Sequence, residues 1–248
     1  MQPKNIQEVI DALSEIIETA NEKGAVFGYF ACLYRKMTIA VQQGIANNVF
    51  EDGARMEALD VIFAQRYLDA YLQMSEDKTP SNAWNVAFEA AKSNQITVLQ
   101  HLLLGINAHI NLDLGIAAAQ TCSGETIHGL KNDFDKINTV ISTISGEVQN
   151  ELAEIWFPLR FINQISNKTN DAVINFSIEI ARNSAWKVAT DLAFLSDDAQ
   201  LNYIDTLDNN IANLAQKIIF PPFKDSVICK IVKFFELKSP IQIMKILS

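Results

Sequence analysis

His109 and Asp113 stand four residues apart in the stretch 101–120, HLLLGINAHINLDLGIAAAQ. On a helix that spacing puts both side chains on one face. A carboxylate beside an imidazole suits two kinds of chemistry. It can orient the ring as a general base, or the two groups can share a divalent metal such as zinc. With His101 set at zero and about 100° per residue, Gly105, His109 and Asp113 fall near about 40°, 80° and 120°. Those four positions form one column. Asn107 and Asn111 fall on the other side, and Leu and Ile fill much of the remaining circumference. A helix apolar nearly all round is expected to be buried among others. Its polar groups then need partners, since an unpaired buried polar group costs about 1–3 kcal/mol.

The partners are sought elsewhere in the chain. A metal at His109 and Asp113 needs a ligand from another helix. Asp133 completes the candidate metal set, with Asp60 and Glu57 as alternatives. His101 lies eight residues from His109, about 12 Å along a helix axis, too far to share one ion. It is assigned to ligand binding with Asn107, Asp60, Arg66 and Arg182. Arg66 in VIFAQRYLDAY and Arg182 in INFSIEIARNSAW interrupt apolar helices, and a buried Arg is rarely unpaired. Either guanidinium can bind an anionic group or pair with Asp113, and the second case is a hydrogen-bond network with a purely structural role. Glu57 and Asp60, three apart, form either a cation-binding or acid–base pair or a solvated helix face. Phe27, Tyr29, Phe30 and Tyr34 line a pocket or fill a core. Gly105 leaves room for a neighbouring backbone or a ligand. His128 is read as a solvated loop residue.

The elements that must position these groups are helices. Apolar residues recur with a period of about 3.6. The first helix carries Ile6, Val9, Ile10, Leu13, Ile16, Ile17 and Ala20 on one stripe and stops at Gly24. Others are expected at about Phe27–Ile45 and Gly53–Met74. A short helix then follows Thr79 as N-cap and Pro80 at its first position. The His101 segment is next, too long and too rich in Leu and Ala for a strand. Helices follow at about Lys131–Phe157, Pro158–Lys168, Asn170–Leu195 and Asp197–Phe220, the last stopped by Pro221 and Pro222. One or two short helices close the chain. The expected fold is all-α, a single multi-helix bundle of about nine or ten helices forming one domain over residues 1–248.

Composition narrows the function classes. The chain of 248 residues has 20 Lys and Arg against 29 Asp and Glu, a net charge of −9. That balance argues against nucleic acid, whose phosphates demand basic side chains, and against an anionic membrane surface. The N-terminus lacks the apolar core of a secretory signal. No span of about 18 apolar residues is free of polar groups, so stable membrane insertion is not expected. Three widely spaced Cys form no CxxC pair, and a cytoplasmic location follows as the expectation. GxSxG, GxxxxGK[ST], GxGxxG and HExxH motifs are absent from the sequence.

The pattern His101-Leu-Leu-Leu-Gly105-Ile-Asn107-Ala108-His109-Ile-Asn111-Leu-Asp113-Leu resembles the signature of an uncharacterised bacterial family of unknown function. The blocks YFACLYRKMT, FEDGARMEALDVIFAQRYLDAY and ARNSAW resemble that family's blocks as well. The resemblance spans about residues 25–195 and implies that Arg66, the His101–Asp113 segment, Asp133 and Arg182 belong to one site. It lends no activity. A fainter likeness, to the all-helical zinc phospholipase C and P1-nuclease group, concerns fold class alone. This chain has three His and lacks that group's N-terminal Trp ligand. The expected function is therefore a small-molecule-binding or hydrolase-like enzyme with a buried His/Asp/Arg site, with or without assistance from a divalent metal such as zinc, in which His109 and Asp113 are the candidate catalytic pair. The alternative is a non-catalytic binding or scaffold protein.

Overall fold

Capping chemistry written in the sequence sets most helix boundaries. The computed structural model describes residues 1–155, 179–222, 229–230, 232–234, 236 and 238–248. Every regular element among them is helical. Asn5 accepts the Glu8 amide to start α1 (Ile6–Lys23), and Gly24 at φ 58° ends it in the left-handed conformation. Helix α2 spans Gly28–Ala46. Asp52 accepts the Arg55 amide to open α3 (Gly53–Ser75). Helix α4 (Asn82–Ala91) is capped by Ser81, not by Thr79, because the serine is the residue whose hydroxyl reaches the Trp84 amide, at 3.4 Å. Pro80 consequently lies outside the first turn.

The His101 segment is one rod, Val98–Thr121. It is long and apolar enough to cross a membrane by length and composition, yet 78% of its most apolar window is buried inside the protein. A Thr97–Gln100 capping box starts its first part, α5 (Val98–Ile106). Its middle, Asn107–Leu114, is π-helix, and α6 (Gly115–Thr121) completes it. The sequence periodicity predicts α-helix throughout. The wider winding is a departure, since π turns are rare and occur mostly as short insertions, often at functional sites.

Other helices surround the rod. Helix α7 spans Ile127–Ile155, so it begins four residues before the expected Lys131 and takes His128 into its first turn. Residues 179–193 form α8. The expected helix over Pro158–Lys168, and the first part of that over Asn170–Leu195, lie outside the described residues. Helix α9 spans Asp197–Ile219. Pro240 opens α10 (Pro240–Leu247) behind a Ser239–Gln242 capping box. Helix α5 packs on α2, α4 and α9, the π segment touches α3, α4 and α9, and α6 packs on α3. Helix α10 lays Ile243, Met244 and Leu247 against α1, α2 and α7. At Gly115 a β-carbon would sit 2.7 Å from the Ala185 carbonyl oxygen, so α6 and α8 cross there at backbone contact.

Candidate functional site

Asp113 is 1% exposed, and both its oxygens are taken. Arg66 Nε donates to Oδ1 at 2.8 Å, and Trp84 Nε1 donates to Oδ2 at 2.8 Å. The indole is held in place from a third direction. Asp208 on α9 accepts the amides of Asn82 and Ala83 at 2.6 and 2.8 Å, fixing the first turn of α4. The expected pair of His109 with Asp113 is not made as a hydrogen bond, since Nδ1 stands 3.7 Å from Oδ2. A guanidinium and an indole N–H have claimed the carboxylate, and a charge-assisted bond outcompetes a neutral imidazole.

His109 is instead boxed by rings. Phe63 stacks on it at 3.6 Å with 11° between planes. The Tyr34 ring meets it edgewise at 4.2 Å, and Phe30 does so at 5.5 Å. Both imidazole nitrogens are buried without a hydrogen-bond partner. Burial pulls the imidazole pKa below 6.5, with Asp113 pulling the other way and Arg66 adding to the lowering. The ring is therefore neutral near pH 7.

His109 lines a cavity of about 110 Å³ enclosed by α2, α3, the rod, α7 and α8. Its walls are almost wholly apolar, among them Leu33, Val41, Met56, Leu59 and Ile137. Four polar groups besides Thr38 reach the wall: His109, Tyr34, Asp60 and Arg182. Among the described residues each keeps a buried atom unpartnered: both His109 nitrogens, Tyr34 Oη, Asp60 Oδ2 and Arg182 Nε. Native proteins leave few such atoms, and each asks for an explanation. The Asp60 carboxyl is pushed up to about 7, first by burial and then by the negative charge of Glu57. The Tyr34 hydroxyl is raised well above 10, by burial first and then by Asp60 and Asp113. Arg182 falls to about 10 through burial and stays a cation at neutral pH. Its Nη2 donates to the Phe134 carbonyl at 2.5 Å, and its guanidinium lies 4.5 Å from the Phe134 ring centre.

The other expected site residues are placed elsewhere. Asp133 accepts the amides of Glu51 and Asp52 at 2.7 and 2.9 Å and Arg55 Nη2 at 2.9 Å. It ties the α2–α3 loop to α7 and does not line the cavity. Among the described residues no three His, Cys, Asp or Glu side chains are grouped as a metal would need, so the set His109, Asp113 and Asp133 is not assembled. Asn107 donates to the Ile211 carbonyl at 3.1 Å and accepts from Asn111. Its side chain fastens the rod to α9 in place of the ligand-binding role expected of it. His101 packs edge-on to Tyr29 at 5.9 Å and lines a smaller hollow with Trp84 and Gly105. Burial lowers its pKa to about 4, with Lys233 contributing. Glu57 accepts the Ile6 amide at 3.1 Å. His128 is exposed, 3.7 Å from Glu125. Gly105 admits a side chain: a β-carbon there would lie 2.4 Å from Phe30 Cδ2.

Phe63 and the donor role of Trp84 escape sequence reasoning. Phe63 sits three residues before Arg66 on α3, a helical spacing that could have flagged it. No local signal marks Trp84.

In comparisons with known proteins, the model of a family of unknown function (DUF5995) matches residues 6–221. No curated protein and no solved structure matches the chain.

Proposed function

The chain belongs to the DUF5995 family of unknown function, and we propose that it is a small-molecule-binding protein whose ligand occupies the cavity beside His109. The single observation that carries this reading is the set of unpartnered polar atoms on an apolar wall. Single buried atoms are left over elsewhere, Arg55 Nε and Tyr67 Oη, whereas Arg66, Trp84 and Asp113 satisfy one another. His109, Tyr34, Asp60 and Arg182 leave atoms unanswered around one space. An apolar pocket with a few convergent polar groups and displaced pKa values is the usual form of a ligand site. The rim is built from partly exposed Met37, Phe63, Ile110 and Ile141.

The same groups supply proton chemistry. An acid that titrates at about 7 gives or takes a proton readily at neutral pH. A neutral His109 adds one donor and one acceptor. A hydrolase-like step on the bound molecule is the reaction class these groups serve, with Asp60 and His109 as the proton-handling pair and Asp113 as the anchor of Arg66. This moves the acid–base role from Asp113 to Asp60.

Xenon tests the binding reading, because dry apolar cavities take it up. In methyl-labelled protein, dissolved xenon is expected to shift the resonances of Leu33, Val41 and Ile137. Val140→Phe, which fills the cavity from α7, is expected to abolish those shifts. Cavity methyls that ignore xenon in the unaltered protein refute the reading.

A further inference from the structure

The charge on the cavity wall narrows the class of molecule, on the premise that the cavity binds one. Arg182 is 4% exposed. Arg55 and Arg66 each meet a buried carboxylate. Arg182 has no carboxylate within ion-pair distance among the described residues. What it has is a carbonyl oxygen and an aromatic face, and, like Arg55, an Nε–H with no acceptor among the described residues. Taking a cation out of water costs several kcal/mol, and a neutral carbonyl answers only part of that. Asp60 lines the same cavity, yet no cation among the described residues pairs with it. The two groups thus leave each other uncompensated.

Most of the unpartnered atoms can donate. Arg182 Nε and Tyr34 Oη carry hydrogens in search of acceptors, neutral His109 offers one N–H beside one acceptor nitrogen, and Asp60 donates while it holds its proton. A carboxylate is acceptor-only, which suits that set. A single buried cation balances a single negative charge. A phosphate dianion would bring a second charge with nothing to answer it. Volume sets the rest. A cavity of about 150 Å³ holds a benzene ring, so about 110 Å³ holds about four heavy atoms, and the partly exposed rim leaves room for one or two more.

We propose that the cavity binds a short-chain monocarboxylate, its carboxylate paired with Arg182 and its hydrocarbon tail against Leu33, Val41, Met56 and Leu59. The pairing is a charge-assisted contact with a buried guanidinium. Such a bond exceeds a neutral one by about 1.4 kcal/mol, which is about tenfold in affinity.

The test compares butyrate with butyramide, its uncharged counterpart of equal size, in NMR titrations of the full chain, with xenon as an uncharged control. Butyrate is expected to bind about tenfold more tightly than butyramide. Arg182→Gln is expected to erase that preference while xenon still enters. Should Arg182→Gln fail to fold, the two ligands on the unaltered protein decide the matter. Butyramide binding as tightly as butyrate overturns the carboxylate assignment and leaves the pocket reading standing. So does a preference for butyrate that survives Arg182→Gln. Silence of the cavity methyls toward butyrate, butyramide and xenon alike overturns both.

Discussion

Replacing Asp60 with Asn is expected to make the protein more stable, and increasingly so as pH rises. Asp60 is buried beside Glu57, and its carboxyl titrates at about 7 instead of 3.8. Below pH 3.8 the folded and unfolded chains both hold the proton, and the residue contributes nothing to the pH dependence. Between 3.8 and about 7 the unfolded chain has released it and the folded chain has not. Folding then takes up a proton, so stability falls as pH rises. Above about 7 the loss is complete. Each unit of the gap is worth about 1.4 kcal/mol, which makes the full loss about 4 kcal/mol. A carboxamide of the same shape cannot ionise and escapes it. Urea unfolding of both proteins, followed by far-UV circular dichroism across pH 4 to 8, reads the difference directly. Contributions of His101 and His109 to the absolute profiles cancel in the subtraction, since Asp60 is not among the charges that move either ring. The variant's advantage is expected to grow by about 4 kcal/mol between the two ends. Parallel profiles would show that Asp60 is solvated or paired, and the cavity would lose its proton donor.

Two further substitutions probe the frame around the site. Gly105→Ala places a methyl 2.4 Å from Phe30 Cδ2 and 2.9 Å from its Cβ. The clash involves the root of the side chain, so the ring cannot simply swing aside, and a loss of about 1–3 kcal/mol is expected in the same unfolding assay. A neutral result would mean that α2 slides freely on α5. Trp84→Phe removes one donor to Asp113 and is expected to cost about 1–3 kcal/mol. Arg66→Met removes its cation and is expected to cost more, about 3–5 kcal/mol. The reverse order would place the stabilisation of Asp113 in the indole and not in the ion pair.

Helices were readable because their signals are local. Gly24 acts within a turn of where it stands, as do the caps Asn5, Asp52 and Ser239, which were not singled out from sequence, and a 3.6-residue stripe needs no knowledge of its partner. The burial of His109 and Asp113 followed from the same stripe. Sequence could narrow the partner of Asp113 to Arg66 or Arg182, because both are cations in apolar surroundings. It could not choose between them, for that choice depends on where α3 and α8 stand. Nor could it foresee that Trp84 would arrive from α4, since Asp208 sets that approach from more than a hundred residues away. The π winding was illegible for a different reason. Asn107–Leu114 has the composition of a buried α-helix, and no residue in it marks the wider turn that packs against α3, α4 and α9. Asp60 was expected as a ligand-binding residue and, with Glu57, as a carboxylate pair or a solvated face, and sequence could not choose among these. Glu57 turned to the α1 amide, and Asp60 was left alone at the cavity.

A rod that changes pitch midway has two phases. Residues before Asn107 and those after Leu114 are clocked about the axis by different amounts, and the surplus turn between them sets the offset. Gly105 faces Phe30 on one side of that offset, and Gly115 faces Ala185 on the other. Excising a single residue from the widened stretch would let it relax to ordinary pitch with the two flanking parts held nearly as they are, whereas adding one would swing every later side chain by about a hundred degrees. Length there is a constraint as strict as chemistry: side-chain exchanges between Asn107 and Leu114 keep both glycines aimed at their neighbours, whereas a one-codon insertion would turn one of them away.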